Sequence, residues 1–431
     1  MRCFLPPADS RFYAGVDLHA RSLFLCVLDR DGQERLARNL AAAPAPFLKA
    51  VAPFRDGLVV GCECMHCWYW LADACRDEGI AFALGHAWGM KAVHGQKTKC
   101  DRHDAQAIAR LLKGGNFPLA YVYPKERRGL RDLLRARLRL VRQRAQLYGH
   151  VHTARRQANL PPVSSDVKYK SKRGGITADI ADPFVRRRVE THLALLEPLD
   201  TTIRRLEAEI EDAAQEHYPT ELAVLQTTPG VGAVLSLTIL LEIDTIGRFD
   251  TRQQFCSYAR LCGAVQESAG QRTGLGNRKA GNAWLKWAFS EAAVLSAQKD
   301  ERLGALLQRL SSRLGKAKAL SALAHQLGRA FYHLPHTQEV FDVNRFVRPW
   351  ATGRPASRGR TGADGVSRSD DTLMSLGREP DRVSSAAAPA ARRFDGTPAA
   401  PAFYRTAVAQ PRAAARRWVG GRTRSARGCL R

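Results

Sequence analysis

Acidic residues are scarce in this chain. Asp and Glu together number 41 against 67 Lys and Arg, leaving a formal net charge of +26 over 431 residues. Such an imbalance disfavours free acidic metabolites as the main business of the protein and favours a polyanion held through its phosphates. No uninterrupted apolar stretch is long enough to span a bilayer, and no signal-peptide pattern opens the chain. No membrane association is therefore expected, and the expected location is cytoplasmic. The ten cysteines lack zinc-ribbon spacing. Cys62, Cys64, Cys67 and Cys75 cluster, but no second pair follows and Cys62 falls inside an expected strand. Reduced and largely buried thiols are expected, with His66 a polar neighbour rather than a ligand.

What is present is a set of carboxylates at structurally meaningful places. Short β-type runs at residues 12–16, 22–29 and 33–39 read as three successive strands, with Asp31-Gly32 a tight turn between the last two. A helix near 47–54 leads to a strand at 58–62, a helix at 68–78, a strand at 80–84 and a helical pattern from Asp104. Asp17 closes the first strand and Glu63 the fourth. Asp101 and Asp104, three apart, share one helix face. Carboxylates converging on one point raise each other's pKa unless a cation neutralises them. Hard oxygen ligands suit Mg2+ or Mn2+, and two such ions can clamp the attacking and departing oxygens of a phosphodiester. Three antiparallel strands followed by α/β crossovers is the order of an RNase H-like fold, whose acids lie where these four do.

Residues 130–214 are helical and very basic. Leu130, Leu134, Leu138, Val141 and Ala145 recur on one face while Arg131, Arg135, Arg137, Arg139, Arg142 and Arg144 crowd the others. A second run, Val189, Leu193, Leu196, Leu199, Ile203, Leu206, Ile210 and Ala213, steps by three and four like a heptad seam. Pro198 is expected to kink or restart that helix. Two antiparallel helical arms follow, either pairing with another subunit or closing as an internal hairpin.

A third, mainly helical region runs from about residue 221 to 346. Thr228-Pro229-Gly230-Val231-Gly232 before an apolar helix resembles a turn that brings backbone amides to a phosphate, with Gly230 and Gly232 allowing the approach. A turn-rich stretch around Ser268 and a loop with Gly274, Gly276, Arg278, Lys279 and Gly281 then lead into a helix at 283–297, as close approach to a nucleic-acid backbone requires. Trp284 and Trp287 on that helix read as core. Beyond Trp350 the chain is rich in Arg, Ala, Gly, Pro and Ser without periodicity and reads as a disordered basic tail. The expected divisions are 11–125, 126–220, 221–348 and 349–431.

These residues resemble the DEDD transposases of the IS110/IS1111 group. The resemblance is carried by Gly15-Val16-Asp17-Leu18-His19, by Glu63 and by Lys99-Cys100-Asp101-Arg102-His103-Asp104-Ala105. It continues through Leu130-Arg131-Asp132-Leu133-Leu134-Arg135-Ala136-Arg137 and Leu140-Val141-Arg142. Further on it includes Thr228-Pro229-Gly230-Val231-Gly232, Ser268 with Gly270, and Lys279-Ala280-Gly281-Asn282. The resemblance covers about residues 11–346, with these motifs in order. The resemblance implies a RuvC-like nuclease domain, a coiled-coil arm and a mainly α transposase domain bearing a nucleophilic serine. It implies that Asp17, Glu63, Asp101 and Asp104 hold Mg2+ or Mn2+ and that Ser268 attacks the scissile phosphate, with Ser257 and Ser290 as fallback positions. Arg278 and Lys279 would neutralise charge at phosphorus. Implied partners are DNA at element ends and target, a structured noncoding guide RNA and further copies of the chain, with nucleoid association when DNA is bound. The family pairs its serine directly with glycine, whereas here Ala269 intervenes between Ser268 and Gly270. The rival expectations are a metal-only endonuclease of the junction-resolvase kind and a non-catalytic nucleic-acid-binding protein.

Overall fold

Strand-forming residues alternate faces from the start of the chain, and they assemble one mixed sheet. The computed structural model describes residues 2–93, 100–163, 166–263, 265–268, 271–275 and 280–351, all within the unit Met1–Asp364. The expected tail after residue 351 lies outside the described residues. Strands β1 (Phe12–Leu18), β2 (Ser22–Asp29) and β3 (Glu34–Ala41) pair antiparallel in succession. Helix α1 (Pro44–Val51) crosses to β4 (Leu58–Glu63), and α2 (Tyr69–Asp77) crosses to β5 (Ala81–Gly85). Both β4 and β5 run parallel to β1, giving the order β3-β2-β1-β4-β5.

Side-chain alternation decides what covers each face. Ala14, Val16 and Leu18 of β1 and Val60 and Cys62 of β4 enter a core shared with Phe47, Val51, Leu71 and Cys75 of α1 and α2. The opposite face carries Tyr13 and Val59, which pack with Met90, Ile108 and Leu112. Met90 belongs to α3 (Ala87–Val93), and Ile108 and Leu112 to α4 (Asp101–Lys113). Helix α4 comes close because two glycines lie beneath it. A Cβ on Gly15 would stand 2.0 Å from the Ala105 carbonyl oxygen, and one on Gly61 would stand 2.8 Å from a Leu112 methyl.

Helices α5 (Lys125–Gln157) and α6 (Pro183–His217) form an antiparallel hairpin. Its direction follows from the cross-helix contacts Arg137 with Glu207, Arg144 with Asp200, and Arg188 with Gln157. Val189, Leu196, Ile203 and Ile210, at a spacing of seven, are all buried. The expected interruption at Pro198 does not break the helix, which runs through it. Pro198 itself is exposed, while the buried residues Leu196 and Ile203 hold the helix on either side of it.

The arginines that crowd α5 are largely internal. Arg128 pairs with Asp73 at 2.9 Å, Arg135 with Glu242, Arg137 with Glu207, and Arg155 with Asp179 at 2.5 Å. Arg131 stacks over the Tyr123 ring at 3.8 Å and donates to the Tyr69 hydroxyl. Much of the positive charge on this helix therefore fastens it to its neighbours.

The remaining helices share one core. They are α7 (Pro219–Gln226), α8 (Ala233–Ile243), α9 (Arg252–Tyr258), α10 (Ala283–Lys299), α11 (Glu301–Leu314), α12 (Lys316–Thr337) and α13 (Val343–Ala351). Leu134 and Leu138 of α5 and Ile210 and Ala214 of α6 join that core. Trp284 and Trp287 pack against it, and Arg142 lies 4.5 Å over the Trp284 ring. Between α9 and α10 the expected turn-rich stretch is a β-ribbon, β6 (Val265–Ser268) paired antiparallel with β7 (Gln271–Leu275). Ser268 pairs with Gln271, so only Ala269-Gly270 joins the strands. A two-residue connection containing glycine is the usual hairpin signal, masked here by the low apolar content of the strands. Among the described residues, no helix is long and apolar enough to cross a membrane.

Candidate active site

Two parallel strands deliver acids to the same sheet face by one local pattern. Gly15 and Gly61 are register partners, as are Val16 and Cys62, and Asp17 and Glu63 are the next residues. Alternation puts Gly15 with Asp17, and Gly61 with Glu63, on the side covered by α4. The glycines admit the helix, and Asp17, two residues beyond Gly15, emerges beside its N-terminus. Asp101 and Asp104 occupy the first turn of α4, where the free backbone amides favour negative charge. Gln106 and Arg102 fix the helix over the sheet through Glu34, at 3.3 and 2.6 Å.

The tightest group comprises Asp17, His19 and Asp101, each offering one ligand atom, with all three atoms within 4.8 Å of one another. His19 Nε2 lies 3.3 Å from Asp17 Oδ2 and 3.6 Å from Asp101 Oδ2. Asp17 Oδ2 is itself buried and has no hydrogen-bond partner. Burial pushes the Asp17 carboxyl above its ordinary pKa; His19 opposes this, while the charges of Asp101 and Asp104 add to it. A buried carboxylate oxygen faced only by the His19 imidazole and repelled by two more acids is a position that a divalent cation would satisfy. The donor set thus fits the expected Mg2+ or Mn2+.

The structure therefore brings Asp17, Asp101 and Asp104 into electrostatic contact. Glu63 reaches the same face from β4 but is not part of the three-atom group. The loop after Glu63 is anchored by the Cys64 amide on the Gly85 carbonyl at 2.9 Å and by the Cys67 thiol on the Leu18 carbonyl at 3.6 Å. Buried Cys62 and Cys75 belong to the sheet core, and burial pushes the Cys75 thiol up to about 12. His19, the third member of the tightest group, had no separate role in the reading of the sequence. Its signal is its place two residues beyond Asp17, at the β1–β2 turn.

In the helical region, Gly230 has φ +79° and a Cβ there would strike the Leu295 backbone at 2.5 Å, so its missing side chain serves packing against α10. Gly232 faces open space and caps α8. Ser268 ends β6, and its side chain lies outside the described residues, as do Arg278 and Lys279. Ser257 is exposed on α9, and the Ser290 hydroxyl donates to the Lys286 carbonyl at 2.7 Å. The base of the excursion carrying Ser268 is closed: Asn282 N donates to the Tyr258 carbonyl at 2.6 Å, and Arg260 Nε to the Gly281 carbonyl at 2.7 Å. Asn282 is a buried helix cap. Its Oδ1 accepts from the Trp284 and Leu285 amides, and its Nδ2 donates to Glu242 Oε2 at 2.7 Å. Glu242 in turn receives both arms of Arg135, at 2.6 and 2.7 Å.

Comparison with known proteins supplies the class. Residues 14–158 match the model of the DEDD transposases of the IS110 kind, and residues 222–308 match that of the IS116/IS110/IS902 transposase family. The protein is a transposase. More particularly, the chain belongs to the IS110/IS1111 family. It is 24% identical over 334 residues to the transposase for insertion sequence element IS1111A of Coxiella burnetii, covering 76% of this chain and 90% of that one. It is 26% identical over 206 residues to the putative transposase y4qE of Sinorhizobium fredii, covering 46% of this chain and 48% of that one.

Proposed function

We propose that this transposase cuts and rejoins DNA with an RNase H-like, RuvC-type site in which Asp17, Glu63, Asp101 and Asp104 hold divalent ions, Mg2+ or Mn2+, and Ser268 is the nucleophile. The observation that carries the metal reading is Asp17 Oδ2, buried and without a hydrogen-bond partner beside two further acids. The strand order β3-β2-β1-β4-β5, with acids on β1, β4 and α4, supports the RNase H-like reading. Bound ions would lower the pKa of an attacking hydroxyl and stabilise charge on the departing oxygen.

The chain's own groups then have distinct tasks. Asp17 and Glu63, held on a rigid sheet, fix the ion positions. Asp101 and Asp104 close the site from the N-terminus of α4. The Ser268 hydroxyl loses its proton and forms a new phosphoester, while the scissile P–O bond breaks and releases a DNA hydroxyl. The covalent intermediate conserves the bond for rejoining. Arg278 and Lys279 offset charge on the pentacovalent phosphorus, and the amides around Gly230 and Gly232 contact the backbone of the same DNA. Family resemblance supports an element-encoded guide RNA and assembly of several copies.

The test is capture of a DNA–protein adduct and location of the modified residue. An adduct on Ser268 that vanishes in Ser268→Ala supports the reading. Cleavage at full rate by Ser268→Ala would instead favour the metal-only endonuclease with water as nucleophile. Undiminished recombination by Asp17→Asn would leave a non-catalytic DNA-binding role.

A further inference from the structure

We propose that His19 is a ligand of the bound ion alongside Asp17 and Asp101, and that its imidazole makes the site prefer Mn2+ to Mg2+. The inference rests on the metal-dependent reading above but concerns a residue outside the four acids. His19 is held at the β1–β2 turn by its backbone amide, which donates to the Ser22 carbonyl at 2.9 Å. From there Nε2 stands 3.3 Å from Asp17 Oδ2 and 3.6 Å from Asp101 Oδ2, and the three ligand atoms span no more than 4.8 Å. Asp17 Oδ2 is buried without a hydrogen bond even with this imidazole beside it. The contact is a long one, and a cation shared between the two atoms would take both as ligands.

Ligand chemistry sets the preference. Mg2+ demands oxygen donors in near-ideal octahedral geometry and gives up its waters reluctantly. Carboxylate and water suit Mg2+ and Mn2+ alike, whereas imidazole nitrogen suits the first-row transition ions; Mn2+, as one of that row, takes a nitrogen donor more readily than Mg2+ does. Four carboxylates alone would not distinguish the two ions strongly. Adding one nitrogen at the deepest acid would.

The experiment uses the full-length chain with Mn2+ and Mg2+ as the only ligands. Free Mn2+ is followed by electron paramagnetic resonance, and Mg2+ by its competition with Mn2+. Wild-type protein is expected to bind Mn2+ at least about tenfold more tightly than Mg2+, with His19→Ala weakening Mn2+ about tenfold or more and leaving Mg2+ nearly unchanged. Pulsed spectra should show imidazole nitrogen coupled to Mn2+ in the wild type and not in His19→Ala. Equal weakening of both ions, unchanged Mn2+ affinity, or no nitrogen coupling would overturn the assignment. Tighter binding of both ions by His19→Ala would also overturn it, since that is the mark of a side chain that merely occupies the cation's place. Binding of neither ion by the wild type would overturn the metal-dependent reading itself, and this assignment with it.

Discussion

Gly15 and Gly61 face each other as register partners on adjacent parallel strands, and each precedes a strand-end acid, Asp17 or Glu63, by two residues. Their roles are unequal. A methyl on Gly15 would meet the Ala105 carbonyl at 2.0 Å and the Ala109 amide at 2.5 Å, both immovable helix backbone. On Gly61 it would meet only the flexible end of Leu112. We expect Gly15→Ala to cost about 3 kcal/mol or more, by forcing α4 away from the sheet, and Gly61→Ala about 1 kcal/mol. Urea unfolding of the two variants checks the ranking, and equal losses would refute it. Gly15→Ala should also weaken metal binding, because Asp101 and Asp104 travel with the displaced helix.

That pairing was half legible in the sequence. The strand-end acids and the helix-borne pair follow from period-two and helical spacing, and the five strands form near the expected places. Nothing local announces that Gly15 and Gly61 are partners, since register between distant strands is set by the whole buried face. The same limit hid His19, whose proximity to Asp101 depends on how α4 lies over the sheet. In the other direction, Arg131, Arg135 and Arg137 read only as part of a very basic helical stretch. Only the fold reveals their partners, which are mostly far along the chain. The β6–β7 ribbon went unseen because Gln266, Glu267, Gln271 and Arg272 carry little strand signal.

The Arg135–Glu242–Asn282 contact ties the arm to α8 and to the stem of the excursion carrying Ser268. Glu242 has a side chain 2% exposed, so removing its charge leaves Arg135 facing a poor partner. Glu242→Gln is expected to lower stability by about 3 kcal/mol, the cost of breaking a buried pair. Replacing Arg135 and Glu242 together by methionine should recover only part of that loss, because the buried Asn282 Nδ2 then lacks its Glu242 acceptor. A double-mutant cycle in urea measures it, and additive losses would show that the two side chains act independently.

His325 makes stability depend on acid. It is buried in α12, its Nδ1 has no hydrogen bond, and burial, with the nearby Arg329 charge adding to it, lowers its pKa from 6.5 to about 4. The folded state therefore holds this proton more weakly than the unfolded chain. Its contribution is complete above pH 6.5 and is lost as pH falls through the window down to about 4, amounting to at most about 3 kcal/mol. The melting temperature of the wild type should fall across that window more steeply than that of His325→Leu. Parallel curves would show that the imidazole does not titrate there.

Asp17 should show function and stability in opposition. Its carboxyl is pushed upward by burial and by Asp101 and Asp104, with His19 opposing, so the metal-free fold disfavours the charged form of this side chain. Asn at this position keeps the shape and removes the charge. Asp17→Asn is therefore expected to raise the melting temperature of metal-free protein. It should also reduce cleavage by more than the roughly 10–100-fold that loss of an outer-shell partner costs a metal site. Calorimetry with chelator present, alongside a strand-cleavage assay on the same preparation, checks both halves. The stabilising effect should vanish when Mn2+ or Mg2+ is added, because the ion neutralises in the wild type the same repulsion that the substitution removes. A variant less stable than wild type in chelator would mean that Asp17 is satisfied by its surroundings, and the cation would lose its strongest structural support.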